Sequence, residues 1–465
     1  AKAKPIEATL PDIVEINYAR LYRLAFIFGV FLALIGLFIS IYEYISKPFN
    51  YPFLSYIGVF LIIFGFTFVA PLYLKGVLGV VEKFIKVAFK FVGVIATGDI
   101  RGSLHRFSVA LISVMISSAL IISFFILIHS FEKNLTDWID KNLNFDVFIK
   151  ASSCSSNFCF TPLSKKLIGI LEDFDEVEDV NKFRVLRGYY RDRPVLLGFG
   201  NEDIVKKHTD HVINLGIRKK KELAASEYFR IKYGIEVGDY MNISTPMGKI
   251  RFRVREIFKS YSTTTGFLVF DRYWLKKLWS LDDATQLNIY LKKGASTKEF
   301  IDKLKSNIPK NLNVDIYDNK SLKKRVLQIF DRTFAITYAI QIIAFIISLI
   351  GMINTIFTVI VEKFRSISIL RYIGCSYKKI KLIFITSASV VGFAGIIIGA
   401  LLGAIISFIM IKIVNIVSFG WTIDIFIPFI SILGLLFLLY VTIIISVFLP
   451  ISYIKKIDVK ESINT

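Results

Sequence analysis

Six stretches of this sequence are apolar enough and long enough to be membrane spans: Leu24 to Ile45, Phe53 to Leu74, Ser108 to Phe131, Phe334 to Val361, Leu382 to Val414 and Ile425 to Leu449. Each reaches the roughly 20 residues that a helix needs to cross a hydrocarbon core about 30 Å thick. Inside lipid the backbone must satisfy its own hydrogen bonds, so these runs can only be helices packed as a bundle, where Pro71 is tolerated. With 54% of its 465 residues hydrophobic, the chain exceeds the apolar share of soluble domains. The fold class expected is an α-helical transmembrane bundle of six spans with an α+β domain inserted between spans three and four.

The formal charge of +21 is not evenly spread. Lys and Arg gather in Lys75 to Arg106, in Glu362 to Lys381 and at Lys455-Lys456, while the turn near Ser46 and the loop Ser418 to Asp424 are nearly free of them. Basic segments stay on the cytoplasmic side. Both termini and residues 362–381 are therefore expected inside, residues 132–331 outside, and the protein multi-pass in a bacterial inner membrane. Basic charge of this distribution suits anionic headgroups, and no nucleic-acid-binding motif accompanies it.

Between spans the chain divides as follows: residues 1–20 a cytoplasmic tail, 21–80 a transmembrane hairpin, 81–107 an interfacial segment lying on the membrane, and 108–131 a span. Residues 132–331 form the inserted domain, 332–454 hold three spans, and 455–465 form a cytoplasmic tail. The inserted region, about two hundred residues without a long apolar run, is the size of one or two domains. Phe145 to Lys150, Arg193 to Phe199, Tyr240 to Thr245, Gly266 to Phe270 and Gln286 to Leu291 read as strands, and Ser164 to Leu171 and Thr297 to Ile308 as helices. Turn signals at Gly238-Asp239 and Pro246-Met247-Gly248 make Tyr240 to Ile257 a β-hairpin.

Residues 362–381 combine Ile367, Leu370 and Ile373 with Arg365, Arg371, Lys378 and Lys379, and Gly374 ends the run. This describes a short amphipathic helix that binds a partner or lies on lipid, or else a plain basic loop between spans. Gly395, Gly399 and Gly403, with Gly392 a turn earlier, put small residues on one side of the fifth span, so a neighbouring helix can approach closely. Cys154 and Cys159, on the expected outer side, are placed for a small disulfide loop, and Cys375 faces the reducing cytoplasm. Arg251, Arg253 and Arg255 share one strand face, suited to an acidic partner or to solvent. His208 and His211 have metal-ligand spacing but no third ligand nearby, which favours a polar loop. Lys412 is expected to snorkel to headgroups. The sequence contains no Gly-x-x-x-x-Gly-Lys-Ser/Thr phosphate loop and no nucleophile-base constellation.

The run Glu362-Lys363-Phe364-Arg365 followed by Ile367-Ser368-Ile369-Leu370-Arg371, then Ile373-Gly374-Cys375-Ser376 and Lys378-Lys379-Ile380, resembles the coupling segment of FtsX-like ABC permeases, the family of MacB and LolC/LolE. Ala96-Thr97-Gly98-Asp99-Ile100-Arg101 through Arg106 resembles the elbow that opens such a unit. Pro450 with Ile454 to Ile463 resembles its closing tail, with Val459 where the family usually has Pro. Pro5-Ile6-Glu7-Ala8 looks like the closing tail of an upstream unit, so the resemblance implies the second half of a permease with two such units. It further implies a permease that is not itself an enzyme and holds no cofactor of its own. ATP and Mg would be bound by a separate ABC ATPase, a dimer docked on 362–381, whose motion passes to the outer domain. That domain would move a lipoprotein, lipid or peptide, with a periplasmic protein as a further partner. The alternative the family offers is a signalling scaffold that switches on a cell-wall hydrolase.

Overall fold

Every long apolar run becomes a helix, and several helices extend well past the run that announced them. The computed structural model describes residues 18–46, 52–154, 159–208, 220–309 and 312–454. Residues 1–17 of the first tail and the whole of the second, together with Asp210 and His211, lie outside these residues. Helix α1 (Tyr18–Ser46) pairs with α2 (Phe53–Gly102), and α3 (Leu104–Asn142) leads into a sheet domain. In that domain follow β1 (Val147–Ala151), α4 (Lys165–Glu172), β2 (Val177–Tyr190), β3 (Arg193–Gly200), α5 (Glu202–His208), β4 (Glu222–Ser226) and α6 (Glu227–Tyr233). Then come β5 (Tyr240–Thr245), β6 (Gly248–Phe258), β7 (Phe267–Asp271), α7 (Arg272–Trp279), β8 (Gln286–Leu291), α8 (Thr297–Asn307) and β9 (Val314–Asp318). The chain re-enters the bundle through α9 (Asn319–Glu362), α10 (Phe364–Tyr372) and α11 (Tyr377–Ile409). A π-helical turn, Met410–Val414, joins α11 to α12 (Asn415–Phe419), and α13 (Phe429–Ser446) and α14 (Phe448–Ile454) complete the described chain.

Among the described residues six helices are long and apolar enough to cross a membrane. The protein is a multi-pass membrane protein, a helical bundle with the sheet domain inserted between its third and fourth spans. Close approach, in place of large side chains, holds the first hairpin together. A Cβ added at Gly29 or Gly65 would sit 2.5 Å from the other's carbonyl oxygen, and Gly36 and Gly58 repeat the pattern one heptad away. The start of α2 is tied to α1 by Glu43, 3% exposed. Its carboxylate accepts the N–H of Leu54 at 3.2 Å and of Ser55 at 2.6 Å, capping the orphan donors at the start of α2.

The helix of the second span does not end at Leu74 but continues into the stretch expected to lie on the membrane. Helix α2 runs on to Lys90, where φ 46° and ψ −119° break it. The chain folds back there. Arg101 reaches Glu82 at 2.6 Å, nineteen residues away in sequence, a distance of about 28 Å in a straight helix.

The sheet runs in the order β5-β6-β4-β7-β3-β2-β8-β1-β9. Strand β2 belongs to two lobes. Its first half pairs with β8 and its second half with β3, and each lobe has its own apolar core. One core gathers Val147, Ile149, Leu167, Leu287, Phe300 and Leu304 under α4 and α8; the other gathers Phe199, Phe229, Phe252, Phe270 and Trp274 under α6 and α7.

Candidate coupling site

Helix α9 ends because Lys363 leaves helical geometry (φ −93°, ψ 14°), and α10 starts at the next residue. Gly374 (φ +91°) closes α10 in the left-handed region that glycine adopts without a Cβ penalty. The N–H of Cys375 then donates to the Leu370 carbonyl at 2.9 Å. A helix of nine residues is thus held across one end of the bundle. Its expected apolar stripe divides. Ile367 is 4% exposed and packs into the bundle core with Val359 and Ile380, so it supports the helix from beneath and is no surface anchor. Leu370 and Arg371 are half-buried, and Ile373 is 71% exposed. The reason is phase: six helical residues turn about 600°, which leaves Ile373 roughly 120° away from Ile367. The outward apolar set is instead Ile369, Tyr372 and Ile373, flanked by exposed Arg365, Gly374 and Lys378.

Two ion pairs tie the root of α10 to the break between α2 and α3. Lys363 binds Asp99, before the break at Ser103, and Arg106, after it, binds Glu362. Glu362, the exposed last residue of α9, is therefore part of the joint, although the sequence placed it on the docking helix.

Along the bundle, the expected glycine stripe meets α3. A Cβ at Gly395 would lie 3.2 Å from the Leu111 carbonyl oxygen, at Gly399 2.5 Å from that of Met115, and at Gly403 2.7 Å from that of Ala119. Helices α3 and α9 are joined by the Ser117 hydroxyl, which donates to the Ala344 carbonyl at 2.7 Å.

At the far end, the loop after α12 is threaded between α3 and the sheet domain. Asn134 brackets Asp424, donating to its carbonyl at 2.8 Å and accepting its N–H at 3.1 Å. One turn earlier Ser130 treats Phe426 the same way, at 3.2 and 3.0 Å. From the sheet domain Glu227 accepts the N–H of Thr422 at 3.1 Å and its hydroxyl, Lys259 binds Asp424 at 2.8 Å, and Lys232 donates to the Val417 carbonyl. Burial, with the nearby charge of Arg193, lowers the Lys232 ammonium to about 8. Burial beside Glu227 and Asp424 raises the Tyr261 phenol, which donates to the Thr422 carbonyl at 3.1 Å. None of these residues stood out in the sequence, because isolated Ser, Asn and Glu in helices usually mark a wet face. Lys412, expected among headgroups, donates instead to the Ile423 carbonyl at 2.8 Å.

The remaining candidates stay apart from this axis. Cys154 and Cys159 are joined by a disulfide. Arg251, Arg253 and Arg255 line the exposed face of β6, with Arg251 over the Tyr240 ring at 4.1 Å. His208 lies in α5 and not in a loop; it stacks on Tyr290 at 4.0 Å and bonds Asp179 at 2.7 Å. Glu178 and Asp179 sit close enough to share a metal with it, but Lys207 already bridges both carboxylates at 2.9 and 2.7 Å.

Residues 338–459 match the family described as FtsX-like permease C-terminal, a span that contains α10 and the glycine stripe. An uncharacterized ABC transporter permease protein of Mycobacterium tuberculosis is 23% identical over 396 residues, covering 81% of this chain and 45% of its own length. The chain thus spans less than half of that relative. Among solved structures, the periplasmic region of MacB from Actinobacillus actinomycetemcomitans aligns at TM-score 0.30 and 11% identity, over 40% of this chain and 97% of that one. The extracellular domain of the noncanonic ABC-type transporter YknZ from Gram-positive bacteria aligns at TM-score 0.25 and 12% identity, over 37% and 99%.

Proposed function

We propose that this chain, whose residues 338–459 match the FtsX-like permease C-terminal family, is an ABC transporter permease that passes motion from a separate ATPase at α10 to its sheet domain. The observation that carries this reading is α9. Its 44 residues form one helix about 66 Å long, more than twice the thickness of the hydrocarbon core. It starts directly after edge strand β9 and ends at the joint that holds α10. A displacement of α10 in this arrangement has a stiff path to the sheet. The Lys and Arg distribution supports placing α10 in the cytoplasm and the sheet domain outside.

In this reading the ATPase, a dimer, supplies the ATP and Mg chemistry. A second permease unit lies upstream or on another chain, in keeping with a relative more than twice as long as the aligned part. The cargo is a lipoprotein, lipid or peptide handled at the outer domain, with a periplasmic protein as an additional partner. Co-purification with the ATPase at fixed salt tests the reading. A Tyr372→Ala/Ile373→Ala double variant removes the exposed anchors, and loss of a buried interface anchor commonly costs about 1 to 4 kcal/mol. Binding should fall at least tenfold, and Lys379→Ala should change it less. Undiminished binding by the double variant would refute α10 as the docking element.

A further inference from the structure

A cavity of about 300 Å³ opens between α6 and the ends of α1 and α12, walled by Tyr44, Arg230, Lys232, Glu236, Val417 and Thr422. Tyr44 lies two residues from the end of α1, and Val417 lies in the final turn of its span. The cavity therefore sits at the level where the spans leave the membrane. Its walls differ in character. On the sheet-domain side stand the cations Arg230 and Lys232, with Arg193 near enough for its charge to act on Lys232. Of the neighbouring carboxylates, Glu227 is engaged by Arg230 at 2.8 Å and by Thr422, and Glu236 is exposed at the rim. On the opposite side Tyr44, Ile416 and Val417 make a mostly apolar wall beside the Thr422 hydroxyl, and Ile41, exposed, continues from Tyr44 one turn deeper along α1.

A cationic wall facing an apolar one at the end of the spans is the complement of a phosphate ester joined to an acyl chain. We propose that this cavity binds the phosphate-bearing headgroup of a membrane amphiphile, its phosphate on Lys232 and Arg230 and its chain along α1. The inference rests on the multi-pass architecture and not on the proposed coupling to an ATPase. It gives the junction a second task, because Lys232 also fastens α6 to the Val417 carbonyl. Burial and Arg193 disfavour the bare ammonium; a bound anion offsets both.

The test uses the full chain, purified in detergent and stripped of lipid, titrated with dihexanoyl phosphatidylglycerol and, separately, with glycerol 3-phosphate. Saturable binding of the lipid is expected, weakened about tenfold by Lys232→Gln, the loss of one charge-assisted contact, and restored by Lys232→Arg. Tyr44→Ala leaves both cations in place and should weaken the lipid while leaving glycerol 3-phosphate unchanged. Lipid binding by Lys232→Gln equal to that of the unaltered chain would overturn the site. Equal affinity for glycerol 3-phosphate and the lipid would overturn the amphiphile and leave a site for a free anion.

Discussion

Replacing Gly399 by Ala should destabilise the bundle, although Ala is the better helix former. The added Cβ would lie 1.8 Å from the Ser118 hydroxyl, 2.5 Å from the Met115 carbonyl oxygen and 3.1 Å from the Met115 Cα. The hydroxyl can swing away; the carbonyl belongs to the backbone of α3 and cannot. Restoring ordinary contact would part α3 and α11 by roughly 1 Å at this point, a gap that forfeits a quarter to a half of each facing dispersion contact. Overpacking of this kind typically costs about 1 to 3 kcal/mol. Gly434 in α13 is the control, since a Cβ there meets nothing within 4 Å, and Gly434→Ala should be neutral or gain up to about 1 kcal/mol from helix propensity. Reversible unfolding in mixed micelles, followed by circular dichroism as the denaturing detergent is raised, reads both. Adding Ser118→Ala to Gly399→Ala should recover only a minor part of the loss, because the backbone contact remains. Wild-type stability for Gly399→Ala, or full rescue by Ser118→Ala, would refute the claim that backbone contact sets the spacing.

The joint at α10 should show two modest, salt-sensitive couplings. A double-mutant cycle of Lys363→Met with Asp99→Asn is expected to give about 1 kcal/mol, weaker at high salt, and zero coupling would separate α10 from the α2–α3 break. Glu43→Ala leaves the N–H groups of Leu54 and Ser55 without their acceptor and should cost about 1 to 3 kcal/mol in the same unfolding assay; an unchanged midpoint would mean that another group caps α2. The Lys232 amine, lowered to about 8 in the folded protein against an ordinary 10.5, sets a pH dependence. From about pH 8 to 10.5 the unfolded chain holds a proton that the folded one has released, so stability rises with pH across this window and is flat below it. The melting temperature should climb accordingly in lipid-free protein and not in Lys232→Gln, and parallel pH profiles would contradict the assignment.

The bundle was legible because lipid leaves a spanning chain so few options. Each apolar run had to become a helix, and the recurrence of Gly395, Gly399 and Gly403 had to mark a close approach, whichever helix supplied the other side. What could not be read was where helices stop when no Gly or Pro stops them. The reversal falls on Lys90, an ordinary helix former at φ 46°, and the pair that meets across it, Arg101 with Glu82, is nineteen residues apart. Helices α3 and α9 continue past their apolar runs because Phe131, Trp138, Phe330 and Phe334 pack with Tyr261 beyond the spans, and no local pattern announces that partnership. Strand β2 was missed for a related reason. Its sequence, VEDVNKFRVLRGYY, changes burial pattern midway because each half faces a different core, so alternation over the whole segment fails.

The coupling helix illustrates how a short motif misleads even when its outline is right. A spacing of three repeated twice looks helical, but each step falls about 60° short of a full turn. Over Ile367, Leu370 and Ile373 the error accumulates until the first residue faces the bundle and the last faces outward. The residue between them, Leu370, is half-buried for the same reason. An element this short must spend one side anchoring itself, so its sequence carries two signals superimposed, one for the bundle and one for the partner. Separating them required the position of Ile380 and Val359 beneath Ile367, which belongs to the tertiary fold. The surface that remains, Ile369, Tyr372 and Ile373, is smaller than the stripe first read, and its aromatic and branched side chains make the binding test a sharp one.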